Sequence, residues 1–304
     1  MTPPHPVHIS RPAPLVRRMA AIFIDLVVLG AVGIVLGLLF GDQFQRWGPV
    51  ARLVGFPIAL CYLALMNSGV AGGATIGKRI LRLRVVTDDG SLLTVAQAGS
   101  RALVLVVPWL FMGWSLLQRH SSTLLLASLF GGLLPAQFLL LFFNRPSRQL
   151  VHDLLVGSFV VRVGDGTPSS TTQTRFVVLA GVLPIVLTVL LSMGTKAVQS
   201  RLVPLLSLRD TLLAETPAID VSISDNRTMF GGTASTTLAI TAWMPPASAS
   251  DSLATAIARI ALRLVPEAHN RDRIAVFMAT GYDIMILHSM SSRSYVRSPS
   301  DWLR

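Results

Sequence analysis

The sequence predicts an α-helical membrane domain of about five transmembrane helices, followed by a small extracytoplasmic α+β domain. The first part rests on composition: 52% of the 304 residues are hydrophobic, only 13% are charged, and the mean hydropathy is +0.61. An ordinary soluble domain holds about 25% charged residues. The second part rests on the chain after residue 195, where short alternating apolar patterns replace the long apolar runs.

Five apolar stretches are long enough to cross a hydrocarbon core, which takes about 20 helical residues. They cover residues 19–40, 50–67, 97–118, 122–143 and 175–193. Residues 1–16 are rich in Pro and His and predict a disordered cytoplasmic tail, while residues 164–174 predict a linker. The first run has no cleavage site of small residues, so we expect a retained anchor.

Positive charges are distributed unevenly between these stretches. They precede the first, follow the second and separate the fourth from the fifth: Arg11, Arg17, Arg18, Lys78, Arg79, Arg82, Arg84, Arg145, Arg148, Arg162 and Arg175. The opposite side holds little more than Arg46, Arg52 and Arg119. Because cytoplasmic loops collect Lys and Arg, we expect a multi-pass protein of the cell (inner) membrane with its N-terminus in the cytoplasm and its C-terminus outside.

Asp25 lies inside the first apolar stretch, where a carboxylate is costly by about 3 kcal/mol on insertion scales. Such a group is kept where another group pairs with it. Arg18 lies on the same helix face but is seven residues away, which corresponds to roughly 10 Å along the axis. We therefore expect the partner of Asp25 to come from another part of the chain.

The motifs predict neither an enzyme nor a cofactor or metal site. Residues 72–79 nearly match a phosphate-binding loop, but Arg79 replaces the magnesium-binding hydroxyl and a membrane helix precedes instead of a buried strand. No HExxH, CxxC or GxSxG motif occurs, and Cys61 has no second thiol. The net charge of +11 comes from arginines that flank apolar stretches, so nucleic acid is not an expected partner.

The segment after the second stretch has local patterns of its own. Residues 84–94 carry β-branched side chains on both sides of an Asp89-Gly90 turn, which predicts a cytoplasmic β-hairpin. Residues 159–163 form a further strand candidate that could pair with this hairpin. Before this strand candidate we expect a short interfacial helix, because Leu150, Leu154 and Leu155 recur at helical spacing with Arg148, His152 and Asp153 between them.

Several of these motifs together resemble the RDD family of membrane proteins. They are Arg18 with Ala21, Ile24 and Asp25; residues 73–79 running into Leu83-Arg84-Val85-Val86 and Asp89-Gly90; Gln97 and Arg101; and Asn144-Arg145 with residues 150–157. The family is named for one arginine and two aspartates, which match Arg18, Asp25 and Asp153. The resemblance covers about residues 14–163. It implies a compact multi-span domain, here 17–163, whose role is mostly unassigned, with transport of ions or small solutes proposed for some members.

The residues suggest how these charges are paired. Arg101 lies about one turn into the third stretch, at a depth similar to that of Asp25, and Arg18 lies near the interface where Asp153 is expected. We therefore predict two ion pairs, Asp25 with Arg101 and Asp153 with Arg18, which leave no charge alone in a low dielectric. The alternative is that these pairs only fix helix packing.

Residues 195–304 predict a folded domain. A helix over residues 196–215 leaves the membrane, four alternating segments predict strands near 219–223, 238–242, 274–278 and 284–288, and Leu253 to Leu264 predicts a helix capped by Asp251 or Ser252. Two hairpins joined by a helix suggest a small α+β sandwich. Asp225, Asp283, His269 and His288 form no catalytic set.

Two functions fit these features. The first is a non-enzymatic RDD-type protein that moves an ion or small solute through the bilayer and carries an outer sensing or interaction domain. The second is a membrane-anchored envelope scaffold, which binds an envelope protein through 195–304 and transports nothing. A water-reachable cavity lined by polar residues would favour transport, whereas a dry bundle with an outer groove would favour the scaffold.

Overall fold

The computed structural model describes residues 13–111, 130, 132–133, 135–137, 139–140, 144, 147–164, 182–193, 196–230, 233–246 and 248–304. The described residues group into two compact units. Those of 13–34, 53–111 and 130–193 form the first unit, and those of 35–52 and 196–304 form the second.

The chain begins with a long apolar helical run. Helix α1 (Leu15–Trp47) loses helical geometry at Phe40, a 3₁₀ turn covers Gly48–Ala51, and helix α2 (Arg52–Met66) follows. Among the described residues, Leu15–Met66 is the one helical run long and apolar enough to cross a membrane. This run overlaps the first two predicted stretches. It supports the prediction of a membrane protein, but as a single candidate crossing segment.

The other predicted crossings are described only in part. Helix α4 (Val95–Phe111) is apolar but has 17 described residues, and the described positions between 130 and 140 are helical. Helix α6 (Leu183–Met193) falls within the fifth stretch. The rest of stretches three to five, most of the 164–174 linker and residues 1–12 of the tail lie outside the described residues. Five crossings therefore stay a prediction.

Two short elements follow α2. Thr75 caps the five-residue helix α3 (Ile76–Ile80), and strand β1 (Leu83–Thr87) pairs antiparallel with β2 (Ser158–Arg162). Helix α5 (Val151–Leu155) precedes β2, where a short helix was predicted. Pairing between the two predicted strand segments therefore forms, with Val85 opposite Val160.

The predicted β-hairpin over residues 84–94 is wrong. The chain turns at Gly90, which has φ 84°, but the residues after it form no strand and lead directly into α4. A return strand has no free edge to join, because β2 occupies one side of β1 and the amide of Val85 donates to Gly73 O at 2.7 Å on the other. Thr94 and Gln97 instead form a reciprocal capping pair at the start of α4.

The second unit contains a four-stranded sheet with the order β3-β4-β5-β6. The strands are β3 (Asp220–Phe230), β4 (Thr233–Trp243), β5 (Arg273–Asp283) and β6 (His288–Arg297). The two hairpins are antiparallel and are joined by a parallel β4–β5 pair, which the intervening helix α8 (Asp251–Leu264) makes feasible. Helix α7 (Lys196–Glu215) precedes the sheet.

Both helices cover one face of this sheet. Their buried side chains form a single core with alternate strand residues: Leu208 and Leu212 of α7, Ile257 and Ala261 of α8, Val221, Ile240, Ile274 and Val276 of the strands, and Trp302. The α+β prediction for this part of the chain is thus consistent with the structure. Helix α8 is capped by Ser250, one residue before the predicted Asp251, through a bond from Leu253 N to Ser250 Oγ.

The fourth strand starts later than predicted. Ile284 and Ile286, expected to be strand residues, lie in the buried connection before β6, where Ile284 N donates to Leu287 O at 3.0 Å. Met285 in this connection has φ 66°, which a regular strand does not allow. Hydrophobic alternation alone does not distinguish a buried turn from a strand.

The second unit also begins earlier than the predicted boundary at residue 195. It includes residues 35–52, of which the sequence assigned 35–40 and 50–52 to crossings. Phe44 packs on Tyr282 with a ring-centroid distance of 5.6 Å, and Arg52 Nη1 lies 2.6 Å from Asp283 Oδ2. These contacts join the end of α1 and the turn after it to strand β5.

Gly281 provides a test of this sheet. Its φ is 132°, and an added Cβ would lie 2.1 Å from Ser289 O on β6. We predict that Gly281→Ala lowers the free energy of unfolding by at least about 1–3 kcal/mol, the usual cost of such strain. Gly41→Ala is the matched control, because its Cβ meets nothing within 4 Å. Thermal unfolding of the purified protein measures both, and equal stability of the two variants would contradict the β5–β6 geometry.

Candidate functional site

Asp153 is the centre of a buried charge cluster in the first unit. Its side chain has no exposed surface, and it accepts hydrogen bonds from two arginines. Nε and Nη2 of Arg101 lie 2.8 and 2.7 Å from Oδ1, and Nη2 of Arg18 lies 3.1 Å from Oδ2. Ser158 Oγ and the amide of Leu150 each add a bond at 3.2 Å. One carboxylate therefore joins α1, α4, α5 and β2.

The electrostatics of Asp153 favour its ionised form. Burial by itself would raise the pKa of this carboxyl, but the nearby Arg101 and Arg18 lower it more, so that the pKa lies well below its usual range. The carboxylate therefore stays charged at neutral pH. Arg18 is further fixed by a hydrogen bond from Nη1 to the carbonyl oxygen of Arg148.

His152, next to Asp153, is held as a neutral ring. Its Nε2 lies 3.2 Å from Arg101 Nη2, and its Nδ1 lies 3.2 Å from Gln137 Oε1. A guanidinium can only donate, so Nε2 accepts and the ring proton is on Nδ1. Burial lowers the pKa of His152 to about 3, despite the opposing effect of Asp153. His152 therefore orients Arg101 without adding charge.

Asp25 is bound by three neutral donors. Tyr62 Oη lies 2.7 Å from Oδ1, Thr75 Oγ1 lies 2.6 Å from Oδ2, and the amide of Gly77 lies 2.8 Å from Oδ1. Only glycine fits at position 77, because a Cβ there would lie 2.2 Å from the carbonyl oxygen of Ala21. The segment that resembles a phosphate-binding loop thus binds the chain's own carboxylate.

Of the two predicted ion pairs, the structure contains one and corrects the other. Asp153 does contact Arg18, but Arg101, expected to pair with Asp25, pairs with Asp153 instead. The reason is that the donors on Tyr62, Thr75 and Gly77 already satisfy Asp25, whereas the buried Asp153 binds both guanidiniums. The sequence analysis placed the four charged residues in the membrane domain but missed Tyr62, Thr75, Gly77 and His152.

A cavity of about 310 Å³ adjoins this cluster. Its polar lining comes from Arg18, Asp25, Asn67, Lys78, Arg101 and His152, and its apolar lining includes Leu26, Leu29, Leu63, Leu105, Val106 and Trp109. On α4 the apolar residues follow Arg101 by up to eight positions, about 12 Å along the axis. On α1, Leu26 and Leu29 lie beyond Asp25, which itself follows Arg18 by seven positions. The cavity therefore has a polar end near Asp153 and an apolar end farther along the helices.

Lys78 is the cation of this cavity that lacks a described carboxylate partner. Its Nζ donates to the neutral Asn67 Oδ1, and no ion pair within 4.0 Å is present for it among the described residues. Burial lowers the pKa of the Lys78 ammonium well below its usual range. Asp153 and Asp25 oppose this effect from beyond ion-pair distance, so an anion in the cavity would further stabilise the charged form of Lys78.

Residues 12–157, which contain every residue of this cluster except Ser158, match the sequence profile of the RDD family. Over this part, the chain is similar to the RDD family. The second unit's sheet lies outside the match. Arg18, Asp25 and Asp153, which the sequence analysis matched to the arginine and two aspartates of the family's name, all lie within this match. Arg18 and Asp153 are in direct contact.

Among known proteins, the chain is similar to the human (Homo sapiens) Protein FAM8A1. The two are 34% identical over 121 residues, which is 40% of this chain and 27% of FAM8A1. The chain thus spans about a quarter of the length of this relative. No solved structure matches the chain.

The shared counter-ion can be tested by double-variant cycles. Asp153→Asn leaves two buried guanidiniums without a carboxylate, and losing one partner of a buried pair costs about 3–5 kcal/mol. We predict that adding Arg101→Gln recovers at least about 1 kcal/mol of this loss, because it removes one of the unpaired charges. Resistance of the detergent-solubilised protein to thermal unfolding measures each variant.

The control cycle combines Asp25→Asn with Arg101→Gln. These two residues share no hydrogen-bond partner in the structure, so their effects should add to within about 0.5 kcal/mol. A coupling energy clearly above 1 kcal/mol between the two substitutions would instead support the Asp25–Arg101 pair expected from the sequence.

The neutral state of His152 has a consequence for pH dependence. A histidine in the unfolded chain titrates near 6.5, whereas His152 in the folded chain titrates near 3, so the unfolded state binds more protons between these values. Folded stability should therefore fall as the pH drops from about 6.5, with a slope of at most about 1.4 kcal/mol per pH unit from this residue. We predict a shallower fall between pH 6.5 and 4.5 for His152→Gln. His288→Gln, which removes a half-exposed ring, is the control and should keep the steeper fall.

Proposed function

We propose that the RDD domain binds a small anion in the 310 Å³ cavity and carries it across the membrane. The observation that best supports this proposal is the position of Lys78: its ammonium lines the cavity, and its hydrogen-bond partner, Asn67, is neutral. Three cationic side chains, Arg18, Arg101 and Lys78, share the polar end with two carboxylates, Asp25 and Asp153. The site therefore has one positive charge in excess when Lys78 is protonated, which favours an anion over a cation.

The two carboxylates are poor ligands for a transported cation. Asp25 already accepts three hydrogen bonds, and Asp153 is covered completely by arginines, a serine hydroxyl and a backbone amide. Releasing either group would leave its donors unpaired in a low dielectric, which is costly. We therefore assign these residues to the architecture of the polar end and assign ligand binding to Lys78 and Arg101.

This proposal includes a multi-pass protein of the cell membrane with a cytoplasmic N-terminus and an extracytoplasmic C-terminus. In it the domain is not an enzyme and uses no cofactor, and its partners are the bilayer, the anion and an envelope protein that contacts residues 195–304. The uneven distribution of Arg and Lys along the chain supports this orientation.

A membrane-anchored scaffold is the second candidate. It is favoured by the closed network of Arg18, Asp153 and Arg101, in which each charge has a partner inside the chain. In that case the cluster only holds the helices together, and the sheet of the second unit performs the interaction. The two candidates differ in whether the anion-facing Lys78 matters for function.

Flux in reconstituted vesicles decides between them. We predict that the protein accelerates uptake of a small anion, with iodide and acetate as probes, and that Lys78→Met lowers this rate at least tenfold. Lys78→Arg should retain most of it, because the charge remains. Arg17→Met is the matched control: it removes one charge from the same end of α1, next to Arg18, at a residue outside the described cavity lining.

Rates equal to those of protein-free vesicles would reject transport and favour the scaffold. Equal rates in Lys78→Met and the unmodified protein would show that the anion does not use this cavity.

A further inference from the structure

We propose that the ligand of this cavity is a single-chain amphiphile with a carboxylate head, which enters sideways from the bilayer. The inference rests on the proposed function in one respect, namely that the cavity receives an anion. It adds the chemical class of that anion: an acyl chain whose carboxylate lies at the polar end beside Lys78 and whose hydrocarbon lies along α1 and α4.

The polar end fits a head with one negative charge. Lys78 has three N–H donors and uses one on Asn67, so two are left for a ligand. Arg101, oriented from behind by His152 and Asp153, lines the same end. One carboxylate balances the single excess positive charge of three cations and two carboxylates, whereas a doubly charged phosphate would leave an uncompensated negative charge in the low dielectric.

A small anion such as iodide or acetate would use only the polar end. The side chains beyond the charged residues are mainly leucines and a valine, which have no hydrogen-bond donors for an anion and leave the apolar end unfilled by a small one. A hydrocarbon chain is the complementary occupant for such walls. The cavity of about 310 Å³ has room for one short or medium hydrocarbon chain.

The rim of the cavity indicates how such a ligand enters. Ile22 and Leu26 line the cavity, and they are also 45% and 46% exposed on the surface of α1. Neighbouring Phe23 is 68% exposed on the same apolar helix. In a helix that crosses a membrane, exposed side chains of this kind contact lipid tails. The described opening therefore communicates with hydrocarbon, where the tail of an amphiphile already lies.

Trp109 supplies a direct probe, because a bromine atom in contact with an indole quenches its fluorescence. The protein is placed in nanodiscs of neutral, saturated lipid and titrated with brominated dodecanoate. We expect saturable quenching above the linear background that partitioning into lipid produces. Trp109→Phe is the matched control: the other four of the five tryptophans remain, and the saturable component should disappear.

Two comparisons test the head. Brominated dodecanol has the same tail and a neutral head, and we expect it to bind at least tenfold more weakly than the carboxylate. Lys78→Met should weaken dodecanoate at least tenfold and leave dodecanol unchanged, while Arg17→Met changes neither. Equal affinity of the acid and the alcohol would overturn the assignment of the head.

A series of unbranched carboxylates tests the tail on the unmodified protein, so that the result does not depend on a variant that folds. Each carboxylate competes with brominated dodecanoate. Burial of a methylene contributes about 0.8 kcal/mol, which is about fourfold in affinity. We therefore expect affinity to rise about fourfold per carbon and then to level off once the chain fills the cavity. Affinity that is independent of chain length, with acetate as good as dodecanoate, would overturn the amphiphile.

These outcomes separate the two proposals. Acetate flux that depends on Lys78, without saturable dodecanoate binding, leaves the transport proposal standing and overturns the amphiphile. Saturable dodecanoate binding without flux of any anion supports the amphiphile and rejects transport. Quenching that stays linear, or that is the same in Trp109→Phe, overturns the inference on its own.

Discussion

The membrane domain depends on the placement of one carboxylate between two guanidiniums. Asp153 is fully buried and contacts Arg18 from α1 and Arg101 from α4, so three elements far apart in the sequence meet at its two oxygens. Each arginine alone would be expensive in this environment, and together they would repel each other. Because the hydroxyl of Ser158 and the amide of Leu150 complete the shell, α5 and the start of β2 are fixed by the same group. Local packing of apolar helices would not specify this arrangement, since lipid tails are as apolar as leucine.

The second family aspartate has a different role. Asp25 contacts no described cation within ion-pair distance, and it is stabilised by a phenol, a hydroxyl and a backbone amide. These neutral donors fix α2 and the loop before α3 against α1. Because both carboxylates are committed to other groups, neither forms a described ion pair with Lys78. The positive charge that a protonated Lys78 adds to the cavity thus follows from how the two aspartates are used.

Local patterns predicted more of this structure than long-range pairing did. Helices α1, α2 and α4, the strand over residues 159–163 and the helix starting near residue 251 were predicted from apolar runs, period and capping, which are local features of the sequence. The position of Arg101 near the start of the third apolar stretch does not by itself choose between two carboxylates. Whether Arg101 pairs with Asp25 or Asp153 depended on Tyr62 and Gly77, which bind Asp25. Tyr62 lies in an apolar stretch and Gly77 in the motif that was rejected as a nucleotide site. The sequence spacing of neither residue indicates a bond to Asp25. The hairpin prediction was wrong for the same reason: Gly73, in the loop before α3, accepts the hydrogen bond of Val85 at the edge of β1 where a return strand would pair.

The rejected nucleotide motif has a physical meaning after all. A glycine-rich turn before a short helix presents backbone amides and a hydroxyl to an anion, whatever anion is present. Here the amide of Gly77 and the hydroxyl of Thr75 bind Asp25, so a phosphate would have to displace an internal carboxylate. The adjacent Lys78, which in a nucleotide site would reach the phosphates, instead turns to Asn67 and the cavity. With the loop already filled from inside, the lysine is the part of the motif that can still meet an anion from outside. That anion has to fit between a charged end and walls of leucine.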